Sequence, residues 1–200
     1  MSTITAFGTR FVRLPLAFSY SGGRGVLGKR PMGPSAGQYT GSVIVLLEAD
    51  GGHTGIGDVI VKGGDPNAGR AAALFLEAFI APHVVGQDPF DVDKIMNKLW
   101  GITTHDSSVY AAGIDIALHD LMGKIAGVPL YKLLGGRSRD RVPLTWNVPA
   151  TRDIDLMVRQ ASDAVERGFR NVVKVKTGTP WDVEALVAIQ RAIGPDVPLR

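Results

Sequence analysis

Two lysines separated by one residue, Lys174 and Lys176, are the side chains in this sequence best placed to do chemistry. They stand in Val172-Val173-Lys174-Val175-Lys176-Thr177-Gly178, which reads as a short strand closing on a turn. Strand side chains alternate, so both lysines share one face while the valines between them turn to an apolar layer. Two ammonium groups on one face each raise the cost of charging the other, and desolvation favours the neutral amine. A lysine held near neutrality serves as a general base. The same residues also suit an edge strand whose lysines sit in water and oppose aggregation. On these seven residues both readings stand.

The elements that must position the lysines follow a parallel α/β pattern. Strands are expected over 142–148 and 172–176, helices over 153–167 and 181–193, and a third strand begins at Pro198. Ile154, Met157, Val158, Ala161 and Val165 mark the apolar side of the first helix. Such a layer with two and a half strands is unfinished, so this stretch is expected to be the first part of something longer. In strand 142–148, Thr145 and Asn147 share a face with Pro143, and Leu144, Trp146 and Val148 share the other. Asn147 is thus either a substrate contact near the strand end or a turn-capping residue before Pro149.

Upstream the pattern differs. Apolar runs over 4–16, 40–49 and 53–60, with Asp50-Gly51-Gly52 as a turn, predict three antiparallel strands. Residues 19–37 are rich in Gly, Ser and Pro and read as a long loop. Asp65-Pro66 and Asp88-Pro89 open helices, the first ending near Pro82 and the second running through Trp100. Residues 104–107 cap a long helix over 108–126. Ile114, Leu118, Leu121 and Ile125 form its stripe, and Ala111, Ala112, Gly113 and Ala117 are small enough for a neighbour to approach closely. Gly127 ends it.

Composition narrows the function classes. The chain has 200 residues, is 45% hydrophobic and carries a net charge of +3. That charge is too mild to argue for nucleic acid. No cysteine is present, which excludes disulfides and thiolate–metal sites. The N-terminus has no signal-peptide pattern, and the most apolar run, 71–82, is too short to span a bilayer and contains Glu77. A cytoplasmic protein without membrane association is expected. Residues 1–47 hold five basic side chains and no Asp or Glu, which would favour an anionic small molecule over this segment, although a solvated surface is the commoner explanation.

Other motifs carry less. Residues 23–29 approach a phosphate-binding loop, but Arg30 replaces the expected Ser or Thr and the prolines that follow preclude a helix N-terminus. His53, His83, His105 and His119 lack zinc spacing. Asp120 and Lys124 form an i,i+4 ion pair; Asp115 and Asp120 are read as structural.

Taken together, the sequence resembles the enolase superfamily, in particular the mandelate racemase and muconate lactonizing enzyme group. Gly55-Ile56-Gly57-Asp58 is similar to that family's Gly-x-Gly-Glu, here with Asp. Residues 112–121, then Gly123-Lys124, resemble its long capping-domain helix, with His119 where Trp is usual. Pro129-Leu130 and residues 133–136 resemble the crossover into the barrel, and Lys174-Val175-Lys176 its Lys-x-Lys motif.

The resemblance implies an α+β capping domain over residues 1–135 and the start of a (β/α) barrel over 136–200. It implies removal of a proton α to a carboxylate, with Lys176 as acid/base and Lys174 tuning it and facing the substrate carboxylate. Racemase, epimerase or cycloisomerase chemistry is favoured over dehydration. Mg²⁺ would stabilise the enediolate, with its ligands on later strands beyond residue 200, so chemistry is not expected from these 200 residues alone. The segment 19–37 would be a cover over the substrate, making Tyr20, Ser21 and Arg24 substrate contacts or else plain surface residues. A small carboxylate and further copies of the chain are the expected partners. The alternative function is a non-catalytic fragment serving folding or assembly.

Overall fold

The computed structural model describes residues 2–15, 39–61, 65–102 and 108–200. The described residues divide into two compact units, one running to Ser138 and the other over Arg139–Arg200.

The first unit is built on an antiparallel sheet in the order β1 (Ile4–Pro15), β2 (Tyr39–Ala49), β3 (Thr54–Val61). Alternation makes it two-faced. Val43, Val45, Leu47, Val59 and Val61 are buried under helices, while Ile44, Leu46, Ile56 and Ile60 lie on the other face. Gly51 and Gly52 adopt positive φ in the tight β2–β3 turn.

α1 (Pro66–Phe75) is capped by Asp65, whose carboxylate accepts the Asn67 and Ala68 amides. The helical segment ends at Val84, two residues past the expected stop near Pro82. A π turn (Leu76–Ile80) and then α2 (Ala81–Val84) prolong it. Ala81 donates to the carbonyl of Leu76, five residues back. Pro82 thereby falls in the first turn of the next segment, where a missing N–H is tolerated. The wide turn also holds Ala72, Leu76, Ile80 and Val84, each four residues apart, on the buried side. An unbroken α-helix would drift by about 40° at every fourth residue.

α3 (Val92–Ile102) begins later than Asp88-Pro89 implies. The Asp88 carboxylate instead accepts the Phe90 amide at 3.0 Å, closing a local turn before the helix. α4 (Ser108–Ile125) carries the expected stripe: Ile114, Leu118 and Leu121 are fully buried. It ends at Gly127 (φ +66°), with Val128 donating to Gly123 and Gly127 to Lys124. The proposed cap residues 104–107 fall outside the described residues. α5 (Leu130–Leu133) is a single turn.

The close approach expected at the small residues of α4 is made, but against β3. A Cβ on Gly57 would stand 1.9 Å from the Gly113 carbonyl oxygen, and one on Gly55 would stand 2.2 Å from that of Ala117. Gly55 and Gly57 are therefore packing residues. Ala112 is not part of this contact; it lies on the exposed side of α4.

The second unit is β4 (Thr145–Val148), α6 (Ile154–Glu166), β5 (Val172–Val175) and α7 (Asp182–Ile193). β4 and β5 are parallel, and a bridge from Val173 to Leu199 starts a third strand on the far side of β5. β4 is shorter than expected. It pairs with β5 only from Thr145, and Val142 and Leu144 before it are exposed. Val148, Val173 and Val175 pack with Met157, Ala161 and Ile189 of the helices as one core. These are the first units of an α/β barrel.

Candidate active site

The valines that anchor β5 settle which way its lysines point. Val173 and Val175 are buried against α6 and α7, so Lys174 and Lys176 project from the opposite face. Two residues of strand separate their Cα atoms by about 6.6 Å. Lys176 remains in the ladder, its N–H donating to the Val148 carbonyl at 3.0 Å. Its side chain is half-buried and that of Lys174 is exposed. Neither lies in the dry setting that the sequence suggests. β5 is also no edge strand in this chain: β4 flanks it on one side and residues 198–200 on the other.

Asn147 is the cross-strand partner of Lys174, and parallel pairing puts both on the polar face. Its Oδ1 is buried without a hydrogen-bond partner. A buried acceptor left unpaired is costly, and here it sits beside a register position that carries an ammonium group. Asn147 does not cap the following turn: Asp153 caps α6 through the Leu156 amide, and Thr151 Oγ1 accepts the Asp153 amide.

The loops leaving the two strands are stitched together. Trp181 Nε1 donates to the Thr151 carbonyl at 2.7 Å, joining the start of α7 to the loop after β4. Asp182 holds the turn that follows Lys176. Its carboxylate accepts the Gly178 and Thr179 amides and the Thr179 hydroxyl. The Thr179 hydroxyl first, then the Gly178 amide, hold the Asp182 carboxyl below its usual range. Sequence reasoning missed Asp182, although Thr179-x-x-Asp182 has the spacing of a capping box.

Tyr20, Ser21 and Arg24 lie outside the described residues. His119 packs along its own helix, Nδ1 being 2.9 Å from the Asp115 carbonyl oxygen. Asp120 and Lys124 form their ion pair at 2.7 Å and also terminate the sheet: Asp120 accepts the Ile56 amide, and Lys124 donates to the Thr54 carbonyl. The Asp115 carboxylate stands 3.4 Å from His119 Nδ1, so both aspartates make contacts within the first unit. An open cleft of about 780 Å³ between α3 and α4, lined by Met96, Trp100, Asp115 and His119, belongs to the first unit and lacks the paired lysines.

The described residues do not fit a divalent-metal site. They contain no group of three or more His, Asp or Glu side chains able to hold a metal, and the polar face of the strands presents amide and ammonium groups.

A three-stranded sheet capped by helices, then parallel strands with lysines on the open face, is the architecture of an enolase-type capping domain entering its barrel. Residues 30–135 match the family described as mandelate racemase / muconate lactonizing enzyme, N-terminal domain. The chain belongs to that family, within the enolase superfamily.

N-succinyl-L-Arg/Lys racemase of Bacillus cereus is 30% identical over 98% of this chain and 51% of the racemase. Chloromuconate cycloisomerase of Cupriavidus pinatubonensis is 34% identical over 82% of this chain and 45% of that enzyme. L-talarate/galactarate dehydratase from Salmonella typhimurium LT2, liganded with Mg and L-lyxarohydroxamate, superposes with a TM-score of 0.78 at 28% identity, over 99% of this chain and 51% of its own. The chain spans about half the length of the relatives it matches. Its relatives are thus racemases, cycloisomerases and dehydratases, so lyases stand beside isomerases. Among the described residues no helix is long and apolar enough to cross a membrane.

Proposed function

We propose that the intact protein removes the α-proton of a small carboxylate, as a racemase, epimerase or cycloisomerase, with Lys176 as the base. The observation that carries this is the shared face of Lys174, Lys176 and Asn147 at the carboxyl ends of β4 and β5, where barrel enzymes bind substrate. In the step, the neutral Lys176 amine takes the proton. The Cα–H bond breaks, an N–H bond forms, and the electron pair moves into the carboxylate as an enediolate. Return of the proton completes isomerisation. The Lys174 ammonium is placed to offset the developing charge. Asn147 Oδ1 is a ready acceptor for an ammonium or a substrate N–H.

The same reading makes residues 1–135 the capping domain and 136–200 the start of the barrel. Later strands would close over the lysines and remove them from water. A Mg²⁺ ion, held by residues after Arg200, is proposed by likeness to the Mg-liganded dehydratase. A cytoplasmic location belongs to the same proposal.

The test is deuterium exchange at the substrate α-carbon, run with the intact protein in heavy water across N-succinyl amino acids, dipeptides, muconate-type lactones and sugar acids. Lys176→Ala is expected to lower exchange by about 10²–10⁴-fold. Unchanged exchange in that variant removes Lys176 from the role. Loss of water from a sugar acid with no exchange of any amino-acid derivative would move the assignment to dehydration. An intact mass equal to that of these 200 residues, with no exchange on any substrate, would instead favour a folding or assembly module.

A further inference from the structure

Asp50-Gly51 is the one place in the chain where an Asp or Asn is followed by glycine. In such a pair the backbone nitrogen after the carboxyl belongs to a residue with no side chain to crowd it. The pair sits in the exposed turn between β2 and β3, where Gly51 and Gly52 have φ of +84° and +80°. Beyond its chain neighbours, a Cβ at Gly51 would meet only the His53 ring, at 3.6 Å. The turn is closed by Gly52 donating to Ala49 and by Ala49 donating to His53. Among the described residues no group accepts a hydrogen bond from the Gly51 amide, so that nitrogen is uncommitted.

The restraint on the pair comes from the residues before β1. The Ser2 hydroxyl and the Thr3 amide both donate to Asp50 Oδ1, the amide at 2.8 Å. The Asp50 amide in turn donates to the Thr3 carbonyl at 3.0 Å. Side chain and backbone of Asp50 are thus both pinned to the same two residues. The donors, the hydroxyl first and then the amide, hold the Asp50 carboxyl below its ordinary value. An ionised carboxylate offers an attacking amide nitrogen no leaving group. The contacts that fix the position of the carboxylate therefore also suppress its reactivity.

We propose that Asp50-Gly51 is a modification site, at which the chain rearranges to isoaspartate, and that Ser2 and Thr3 guard it. In the step, the Gly51 nitrogen attacks Cγ of the protonated carboxyl. An N–Cγ bond forms, a Cγ–O bond breaks, and water leaves with the amide proton, closing a succinimide ring. Water then adds to the ring. Breaking N–Cγ restores aspartate. Breaking the bond from that nitrogen to the former main-chain carbonyl leaves the chain running through Cβ and Cγ. One water leaves and one returns, and nothing is oxidised or reduced. The product carries one extra backbone carbon in the turn, and its free carboxylate is set on Cα, one carbon back from the position that Ser2 and Thr3 hold.

The test is to age the intact protein in neutral buffer, locate isoaspartate by electron-transfer fragmentation of its peptides, and count it with an isoaspartyl methyltransferase. The urea-unfolded chain gives the unguarded rate. Ser2→Ala and Thr3→Pro, which each delete one donor, are expected to speed formation at residue 50 about fivefold or more. Thr5→Ala removes a neighbouring bond from β1 to the Glu48 carbonyl and should leave the rate unchanged. Ser2→Ala leaves every buried side chain in place, so loss of the fold does not stand in for loss of the guard. Equal rates in the parent and both donor variants, or equal acceleration by Thr5→Ala, overturn the inference. So does the absence of isoaspartate at residue 50 from the parent and both donor variants under conditions where the unfolded chain forms it.

Discussion

The two units solve the same problem by different means. Each packs helices on one face of a sheet. In the first, the contact is made through missing side chains: Gly55 and Gly57 on β3 admit the backbone of α4 at Gly113 and Ala117. In the second, it is made through side chains filling space, with Val148, Val173 and Val175 against Met157, Ala161 and Ile189. The first tolerates nothing added at its seam. The second keeps its tolerance on the opposite face, where Asn147 Oδ1 and the Lys174 and Lys176 ammonium groups have no hydrogen-bond partner among the described residues. A scaffold that must hold its shape and the surface proposed to do chemistry are thus separated along the chain.

The sharpest way to break this contrast is Gly57→Val. Its Cβ lands on a backbone carbonyl, which cannot yield as a side chain can. We expect a loss of about 3 kcal/mol or more in the first unit by urea unfolding, with the second unit's transition unmoved. A single shared transition would show that the units are not independent.

Asn147→Leu probes the other side. It removes a buried, unpartnered acceptor, so the second unit should gain about 1 kcal/mol in stability while α-proton exchange falls. Loss of stability instead would mean that Oδ1 is satisfied in the folded protein. Asp120→Ala removes one of the groups that terminate β3 and should cost about 1 kcal/mol in the first unit. The Ile56 amide should then gain hydrogen exchange; unchanged protection would show that the contact is idle.

The smallest effect is in acid. Asp50, bonded first by the Ser2 hydroxyl and then by the Thr3 amide, and Asp182 both have carboxyls below the ordinary value near 3.8. For a depressed carboxyl the stabilisation is present above the unfolded value and is lost as pH falls through the folded one. Protection of the Gly178 and Thr179 amides should therefore fade below about pH 4 in the parent protein. It should be weak at every pH in Asp182→Asn. The Asp50 carboxylate is exposed and that of Asp182 only half-buried, so global stability should scarcely move.

What could be read in advance follows period and punctuation. The lysine face was legible because alternation has a period of two and the intervening valines had to be buried. The α4 stripe was legible at three and four. Ala112 failed because it is one residue, about 100° of helix, from the Gly113 seam. The π turn before Pro82 was not legible, because it depends on which face the core holds and not on composition. Asp88 failed because an acidic residue before proline serves a tight turn as readily as a helix cap. The role of Gly55 and Gly57 needed their partner: a glycine pair on a strand and a small-residue run on a helix have meaning only once the two touch. At the site, Asp182 had a spacing that could have been read, whereas the burial of Asn147 Oδ1 is a tertiary fact. The candidate contacts Tyr20, Ser21 and Arg24 lie outside the described residues.

The end of the sheet carries one more implication. Asp120 and Lys124, one helical turn apart, take up an amide and a carbonyl that a fourth strand would otherwise claim. The width of the sheet is therefore written in a helix and not in any strand. Loss of the Lys124 ammonium would free the Thr54 carbonyl at that border and leave the Ile56 amide still held by Asp120.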